Sequence, residues 1–253
     1  MKLENKIAIV TGASKGIGKA IAKRYAKEGA SVVLASRSMD LLSAIAGEIE
    51  KEGGTAMPFF VDVRNPRSIQ DMVDRTVEAY GRLDILVNNA GITMGGPSES
   101  LTPEDWTAAL ETDLFGVFYG CQSAARQMIP QGGGAIINIT SVYGIVAAPM
   151  RAAYCASKAA GNMLTKTLAS EWAKKNIRVN AIAPGYIRTE LVQGVIDQGM
   201  LDLEAVERRT PQGRIGKADE VAGAAVFLAG DDADYVTGCV MTVDGGWTAY
   251  GYI

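Results

Sequence analysis

The chain has 253 residues, of which 48% are hydrophobic and 21% are charged, and its formal net charge is −3. This length and composition predict one α/β domain, residues 1–253, with a buried core. The 25 basic and 28 acidic residues form no basic block, so no nucleic-acid partner is expected. The chain contains no histidine, which excludes Ser-His-Asp hydrolysis and histidine-ligated zinc chemistry.

The three cysteines, Cys121, Cys155 and Cys239, are widely separated and form no CxxC pair that could hold a metal. Their number and spacing indicate free thiols in a reducing compartment. The apolar run at the start is too short for a signal peptide, and no stretch of about 20 apolar residues follows. We therefore expect a cytoplasmic protein without a metal and without a membrane segment.

Short β-branched runs alternate with longer helical patterns. Seven runs predict strands, most of them continuously apolar, as in parallel strands covered on both faces: 6–10, 31–35, 55–61, 83–88, 135–140, 177–182 and 239–243. The first helix carries Ile17, Ala20, Ile21 and Tyr25 on one face, and further helices are predicted at 39–52, 66–80, 103–129, 152–174 and 219–229. The alternation predicts a doubly wound parallel sheet with helices on both faces.

Residues 190–218 interrupt this alternation with only a weak helical signal. Long segments of this kind in compact domains are often functional lids or substrate loops. A decorative insertion is the alternative.

The stretch IAIVTGASKGIGKAIA places Gly12, Gly16 and Gly18 between the first strand and the first helix. The spacing fails the Walker pattern, which requires Gly-x4-Gly-Lys-Ser/Thr. The segment GASKG does match a Gly-x-Ser-x-Gly nucleophile elbow, but no histidine exists to activate Ser14. A dinucleotide site remains, in which backbone amides approach a phosphate at the positive end of the helix.

The end of the second strand favours NADP over NAD. An acidic residue there would accept a hydrogen bond from the adenosine 2′-hydroxyl of NAD, whereas this chain has Ser36 and Arg37. A guanidinium suits a 2′-phosphate, and Lys15 in the glycine turn adds a second positive charge. A solvated surface arginine is the alternative interpretation of Arg37.

The segment YCASK places Tyr154 and Lys158 one helical turn apart, so both side chains leave the same face of a helix. An ammonium group beside a phenol favours the phenolate, which can exchange a proton with an alcohol or a carbonyl. An ordinary surface pair would explain an isolated YxxxK. Ser141, thirteen residues upstream at the predicted end of a strand, favours the catalytic interpretation.

The chain resembles the short-chain dehydrogenase/reductase family along essentially its whole length. The matching motifs are TGASKGIG (11–18), DV (62–63), NNAG (88–91), SVYGIVAAPMRAAYCASK (141–158), PGYIRT (184–189) and VDGG (243–246). The resemblance implies a Rossmann-type sheet of seven parallel strands with the active site beyond their carboxyl ends. It also implies an NAD(P)-dependent oxidoreductase acting on CH–OH groups, assembled as a homotetramer.

The resemblance also implies roles for the matching residues. Tyr154 is expected to be the general acid/base, Lys158 its activator and Ser141 the donor that orients the substrate oxygen. The expected cofactor residues are Gly12, Ser14, Gly16, Ile17 and Gly18 for the phosphates; Asp62 and Val63 for the adenine; Asn89, Ala90 and Gly91 for the ribose; Pro184, Gly185, Ile187 and Thr189 for the nicotinamide; and Tyr154 and Lys158 beside it.

Asp113 departs from the family pattern, which usually has an asparagine that helps to hold a water between the lysine and solvent. An aspartate offers acceptors but no amide donor, and its charge favours the protonated form of Lys158. We expect activity to be retained, since a backbone carbonyl can still hold the water.

Within the family, the chain resembles polyol and sugar-acid dehydrogenases such as gluconate 5-dehydrogenase, and also 3-oxoacyl-acyl-carrier-protein reductases. Four arginines could contact an acidic substrate or be solvated surface residues: Arg151, Arg188, Arg208 and Arg209. An alternative of another class is a non-catalytic NADP-binding sensor, although the intact Ser141, Tyr154 and Lys158 argue against it.

Two predicted helices carry apolar residues on more than one face, which predicts a homo-oligomer: Leu114, Phe118, Ala152, Leu164 and Leu168.

Overall fold

A seven-stranded parallel sheet forms the centre of the molecule, in a computed structural model that describes residues 1–251. The strands are β1 (Ile7–Thr11), β2 (Ser31–Ser36), β3 (Thr55–Phe60), β4 (Ile85–Asn88), β5 (Gly134–Ile139), β6 (Ile177–Pro184) and, after two very short strands, β9 (Val240–Val243). Their order is β3-β2-β1-β4-β5-β6-β9, and all pairs are parallel. All seven predicted strands and the Rossmann-type fold class are confirmed.

Helices cover both faces of the sheet, because the apolar strands need cover on each side. One face packs against α1 (Gly16–Lys27), α2 (Met39–Lys51) and α9 (Ala218–Ala229). The other packs against α3 (Pro66–Tyr80), α5 (Gly116–Gln131) and α6 (Ala152–Trp172). None of the helices within residues 1–251 is long and apolar enough to cross a membrane.

The helix predicted at 103–129 is interrupted. It consists of α4 (Pro103–Leu110), a π-helical turn over Glu111–Phe115, and α5. Single π turns inside helices occur mostly at functional sites. Here the turn contains Asp113, whose side chain is fully buried although the residue is charged.

The segment 190–218 is more regular than its weak periodicity predicted. It contains α7 (Glu190–Asp197) and α8 (Leu203–Arg209), and the two-residue strands β7 (Ile187–Arg188) and β8 (Gly216–Lys217) pair at its base. Side chains of Thr189 and Asp202 cap the two helices by accepting backbone hydrogen bonds at 3.3 Å and 3.0 Å. These caps, rather than an apolar stripe, mark the helix starts.

A buried polar chain holds α6 against the sheet. The Asn88 side-chain amide donates to the Asn138 side chain at 2.9 Å, and Asn138 donates to Thr165 Oγ1 of α6 at 2.9 Å. Each of these three residues is nearly inaccessible to solvent. Because buried amides must find partners, this chain fixes the position of α6 relative to the ends of β4 and β5.

Candidate active site

A cleft of about 520 Å³ lies beyond the carboxyl ends of the strands. It crosses the point where the strand order reverses, between β1 and β4. Open α/β sheets bind ligands at this switch point. From one end of the cleft to the other, its walls include Arg37 and Asp62, the glycine turn, Asn89, and finally Tyr154 and Thr189.

The glycine turn leaves room for a phosphate because side chains are excluded from it. Gly12 and Gly16 have φ of 65° and 57°, which non-glycine residues rarely adopt. A Cβ on Gly18 would lie 2.4 Å from both Asn89 Nδ2 and Gly12 O. Asn89 also donates to Thr11 O at 2.9 Å, which fastens the turn to the end of β4.

The start of α1 already interacts with a negatively charged group. The Gly16 amide donates to Glu190 Oε2 at 3.1 Å, across the cleft from α7. Helix N-termini favour anions because their first amides lack partners within the helix. The residues present therefore fit the dinucleotide that the glycine pattern predicted.

The predicted NADP-discriminating residues lie together at one end of the cleft. Ser36 is buried at the end of β2, and Arg37 is exposed. Arg64, which the sequence analysis missed, donates to Asp62 through Nε at 3.1 Å and through Nη2 at 2.7 Å. These hydrogen bonds, more than any other factor, lower the pKa of Asp62.

Arg37 and Arg64 differ in their partners. Arg64 is neutralised by Asp62, whereas Arg37 belongs to none of the ion pairs found among residues 1–251. The local spacing Asp-x-Arg was the available signal for the Arg64 pair. Arg37 is consequently the arginine at this end that forms no ion pair within the described chain, although its charge also contributes to lowering the pKa of Asp62.

Tyr154 and Lys158 share one face of α6, as their spacing predicted. Lys158 Nζ lies 5.4 Å from the centre of the Tyr154 ring. Tyr154 lines the cleft, while Lys158 lies beneath it, 5% exposed. Its ammonium donates to Ile139 O at 3.4 Å and lies 3.7 Å from Asp113 Oδ2.

Ser141 lies two residues after the end of β5 and is buried. Its Oγ accepts a hydrogen bond from the Tyr143 amide at 3.1 Å, so the hydroxyl proton is free to be donated elsewhere. Two hydroxyls, of Ser141 and Tyr154, thus come from the end of β5 and from the helix that follows it.

Asp113 meets Lys158 in the interior. Its Oδ1 accepts a hydrogen bond from the Ile92 amide at 2.8 Å. Its Oδ2 has no hydrogen-bond partner among the described residues. Burial raises the pKa of Asp113, and the nearby Lys158 charge opposes this shift.

Most of the predicted cofactor residues line the cleft directly. Those that do so are Gly12, Ser14, Lys15, Gly16, Ile17, Ser36, Arg37, Asp62, Val63, Asn89, Ala90, Gly91, Tyr154, Gly185, Ile187 and Thr189. Gly18, Lys158 and Pro184 lie behind this wall and are buried. The structure adds residues that no motif indicated, among them Ser38, Thr93, Thr112, Glu190 and Leu191.

An aromatic group lies beside Ser141. The Tyr143 and Tyr186 hydroxyl oxygens are 2.7 Å apart, and the Tyr186 ring centre lies 5.3 Å from that of Trp247. Burial, together with the hydrogen bond to Tyr186, raises the pKa of Tyr143, so this hydroxyl stays neutral. The sequence analysis did not single out these aromatics, because their three segments are distant in the chain.

Known proteins match this chain along nearly all of its length. Residues 12–248 match the family model described as enoyl-(acyl carrier protein) reductase. A 3-oxoacyl-acyl-carrier-protein reductase of Thermotoga maritima is 42% identical, over 97% of this chain and 99% of that protein. A gluconate 5-dehydrogenase of Gluconobacter oxydans is 40% identical, over 95% of this chain and 94% of that protein.

A solved structure is equally similar. The crystal structure of a gluconate 5-dehydrogenase from Burkholderia cenocepacia, in complex with NADP and tartrate, has a TM-score of 0.94 at 39% identity and covers 98% of this chain and 97% of that chain. The chain belongs to the short-chain dehydrogenase/reductase family and is an NAD(P)-dependent oxidoreductase.

The raised pKa of Asp113 predicts how the stability of the Asp113→Asn variant, relative to wild type, depends on pH. A carboxyl whose pKa is higher in the folded than in the unfolded state contributes stability at low pH, and this is lost as pH rises through the folded value. The asparagine side chain does not titrate, so the variant does not lose this stability as pH rises. Its free energy of unfolding, relative to wild type, should therefore increase from about pH 4 to about pH 7.

Urea unfolding at several pH values measures this difference. The slope with pH is the test, because the variant also leaves the buried Lys158 without its partner and so carries a constant offset. Asp71→Asn, on the exposed side of α3, is the matched control and should show no slope. A relative stability that falls as pH rises would contradict the prediction.

Proposed function

We propose that the protein is an NADP(H)-preferring enzyme that interconverts a secondary alcohol and a ketone on a small polyhydroxylated substrate. The observation that supports this most is the position of Tyr154, which lines the cleft directly above the buried Lys158 ammonium. The nicotinamide of the bound cofactor supplies or accepts the hydride. The residues of the chain position the substrate and move a proton.

The proposed proton transfer uses three residues. The Tyr154 phenolate accepts the proton of the substrate alcohol during oxidation, and the Tyr154 hydroxyl donates a proton to the ketone oxygen during reduction. The Lys158 ammonium stabilises the phenolate that this requires. The Ser141 hydroxyl, which already accepts from the Tyr143 amide, donates to the substrate oxygen and orients it.

We assign Asp113 to the positioning of Lys158. Its Oδ2 lies beside the ammonium and its Oδ1 is fixed by the Ile92 amide, so the carboxylate holds the lysine charge in place. In the family, the usual asparagine helps to hold a water between the lysine and solvent. In this proposal, only the free lone pairs of Asp113 Oδ2 can hold such a water.

The cofactor is assigned to the cleft in four parts. The glycine turn, with Ser14, Lys15 and Ile17, holds the phosphates. Asp62 and Val63 flank the adenine, and Asn89–Gly91 pass along the ribose. Gly185, Ile187 and Thr189, with Pro184 behind them, would hold the nicotinamide. Arg37, Ser36 and Lys15 favour the 2′-phosphate, in agreement with the NADP bound by the Burkholderia cenocepacia relative.

We infer a polyol or sugar-acid substrate from the polar aromatic group beside Ser141. The paired hydroxyls of Tyr143 and Tyr186 suit a polyhydroxylated chain better than an acyl chain. The alternative, a 3-oxoacyl-acyl-carrier-protein reductase, is supported by the Thermotoga maritima relative. The non-catalytic sensor has no support, since these relatives are named as dehydrogenases and reductases.

Tyr154→Phe tests the proton-transfer assignment. The change removes one oxygen and keeps the ring, so kcat should fall by roughly 10²- to 10⁴-fold while the Kd for NADPH stays nearly constant. Steady-state kinetics and fluorescence titration give the two values. Tyr80→Phe, on α3 away from the cleft, is the control and should behave as wild type. Retention of more than about a tenth of kcat would show that another group transfers the proton.

Arg37→Ala tests the cofactor preference. A charge-assisted contact contributes roughly 1.5–3 kcal/mol, so NADPH binding should weaken about 10- to 150-fold, whereas NADH binding should hardly change. Ser36→Asp should reduce NADPH binding further by repelling the phosphate. The measurement is Kd for both cofactors at fixed salt.

The matched control for Arg37→Ala is Arg67→Ala, an exposed arginine that does not line the cleft. It should leave both Kd values unchanged. Equal losses for NADPH and NADH in Arg37→Ala would mean that this arginine supports the fold or the shared adenosine. A wild-type protein that prefers NADH would contradict the proposed preference.

We also propose that the protein is a homo-oligomer, most simply a tetramer as in the family. Large apolar side chains are exposed on the helices around the π turn and on α6: Phe115, Phe118 and Met163. Helices with such a second apolar face commonly pack against a symmetry mate. Light scattering at micromolar concentration should give a mass of several chains, and a monomeric mass would contradict the proposal.

A further inference from the structure

Arg151 stands at the start of the helix that carries Tyr154 and Lys158. It is the N-cap residue of α6, and Tyr154 and Lys158 follow it by three and seven positions. Tyr154 lines the cleft, whereas Arg151 does not line it directly and stands about one helical turn before Tyr154, at the start of the helix.

Contacts with a second segment fix the guanidinium near the reacting groups. A Cβ on Gly95 would lie 2.9 Å from Arg151 Nη1 and 3.0 Å from Cζ, so the guanidinium rests directly on this glycine. The Gly96 amide donates to Met150 O at 2.9 Å, which joins the two loops. Gly95 belongs to the loop after β4, and earlier residues of that loop, such as Thr93, line the cleft.

The loop after β5, which carries Tyr143, also lies near Arg151. The charge of Arg151 acts on the Tyr143 hydroxyl and lowers its pKa, against the larger effect of burial. Tyr143 is two residues from Ser141 and its amide donates to Ser141 Oγ. Arg151 is thus surrounded by α6, by the loop after β4 and by the loop after β5, which are the segments that hold Tyr154 and Ser141.

Arg151 has no acidic partner among the residues that the structure describes. None of the twelve ion pairs includes it, and the one buried carboxylate close to the catalytic pair, Asp113, faces Lys158. Arg151 is half-buried rather than freely solvated. A partly desolvated guanidinium without a counter-charge favours a planar anion that accepts two hydrogen bonds.

The other arginines near this end differ from Arg151. Arg188 is exposed and donates to the neutral Gln193 side chain at 2.8 Å. Arg209 packs 4.6 Å over the Trp247 ring and donates to Trp247 O at 3.1 Å. Arg208 is exposed on α8. Of the four arginines considered from the sequence, Arg151 is the one at the start of the helix that carries Tyr154.

We propose that Arg151 binds a carboxylate of the substrate and makes the enzyme selective for hydroxy acids over neutral polyols of the same chain. This rests on the proposed function, because it places the reacting alcohol at Tyr154 and Ser141. The carboxylate belongs to a different carbon from the reacting one, because Arg151 stands about one helical turn before Tyr154. Arg151 takes no part in proton or hydride transfer.

The test compares two substrates that differ in one terminal group, which is charged in one and neutral in the other. D-gluconate and D-glucitol share the same chain and configuration, and one carries a carboxylate where the other carries a hydroxymethyl group. Matching aldonates and alditols of four and five carbons extend the panel. Initial rates with NADP give kcat/KM for each pair, with wild type, Arg151→Gln and Arg151→Lys.

For wild type we expect kcat/KM to be higher for the aldonate than for the matching alditol in at least one pair. Arg151→Gln should lower that value about 10- to 150-fold, mainly through KM, and should change the alditol value less than about threefold. Arg151→Lys keeps the positive charge but lacks the planar group that donates two parallel hydrogen bonds. Its kcat/KM for the aldonate should therefore lie between the values for wild type and Arg151→Gln. Arg188→Gln is the matched control, an exposed arginine outside this helix, and should keep the wild-type ratio.

Two failures can be distinguished. If wild type oxidises panel members without an aldonate preference, or if Arg151→Gln lowers aldonate and alditol equally, the role of Arg151 is refuted and the proposed function stands. If wild type oxidises no panel member, the substrate class of the proposed function fails, and the carboxylate role fails with it. The Kd for NADPH in each variant shows whether the fold and the cofactor cleft are intact.

Discussion

The buried ammonium of Lys158 is the group on which the arrangement of this site depends. A charge removed from water must be compensated by nearby polar groups, or it becomes neutral or destabilises the fold. Here the compensation comes from two elements, the carbonyl of Ile139 at the end of β5 and the carboxylate of Asp113 in the π turn. A Cβ on Gly91 would lie only 3.4 Å from the ammonium, so the loop after β4 closes over it without a side chain. One buried charge therefore joins β5, the π turn, the β4 loop and α6.

This arrangement supports the proposed role of Tyr154 as the acid/base group in a chain that has no histidine. Tyr154 is held between the ammonium below it and the open cleft above, so the charge acts on the phenol with little screening by water. The same lysine requires an anionic or polar partner in the interior, and Asp113 is that partner. The burial that this requires raises the pKa of the Asp113 carboxyl. Asparagine, usual in the family, would meet this need with an amide dipole, whereas this chain meets it with a carboxyl group.

Charges along the cleft follow a consistent pattern. At the adenine end, Arg64 is paired with Asp62, while Arg37 has no such partner in the described chain. At the middle, the first amide of α1 points at a carboxylate oxygen of Glu190. At the substrate end, Arg151 rests on Gly95 beside Tyr143. Positive or donor groups thus occur at each part of the cleft where the proposed ligands would carry negative charge, and Arg37 and Arg151 belong to no ion pair in the described chain.

The sequence alone determined the strands and the residues of the motifs, because both depend on local information. Short, mostly apolar, β-branched runs such as 31–35 favour buried strands, and the Tyr154–Lys158 spacing places both residues on one face of the helix that contains them. The tertiary structure decided what depends on groups distant in the chain: the π turn that buries Asp113, the capped helices within 190–218, and the contact of Arg151 with Gly95. Periodicity carries no information about which charge will meet which partner, since that pairing is made only when the loops at the strand ends are brought together.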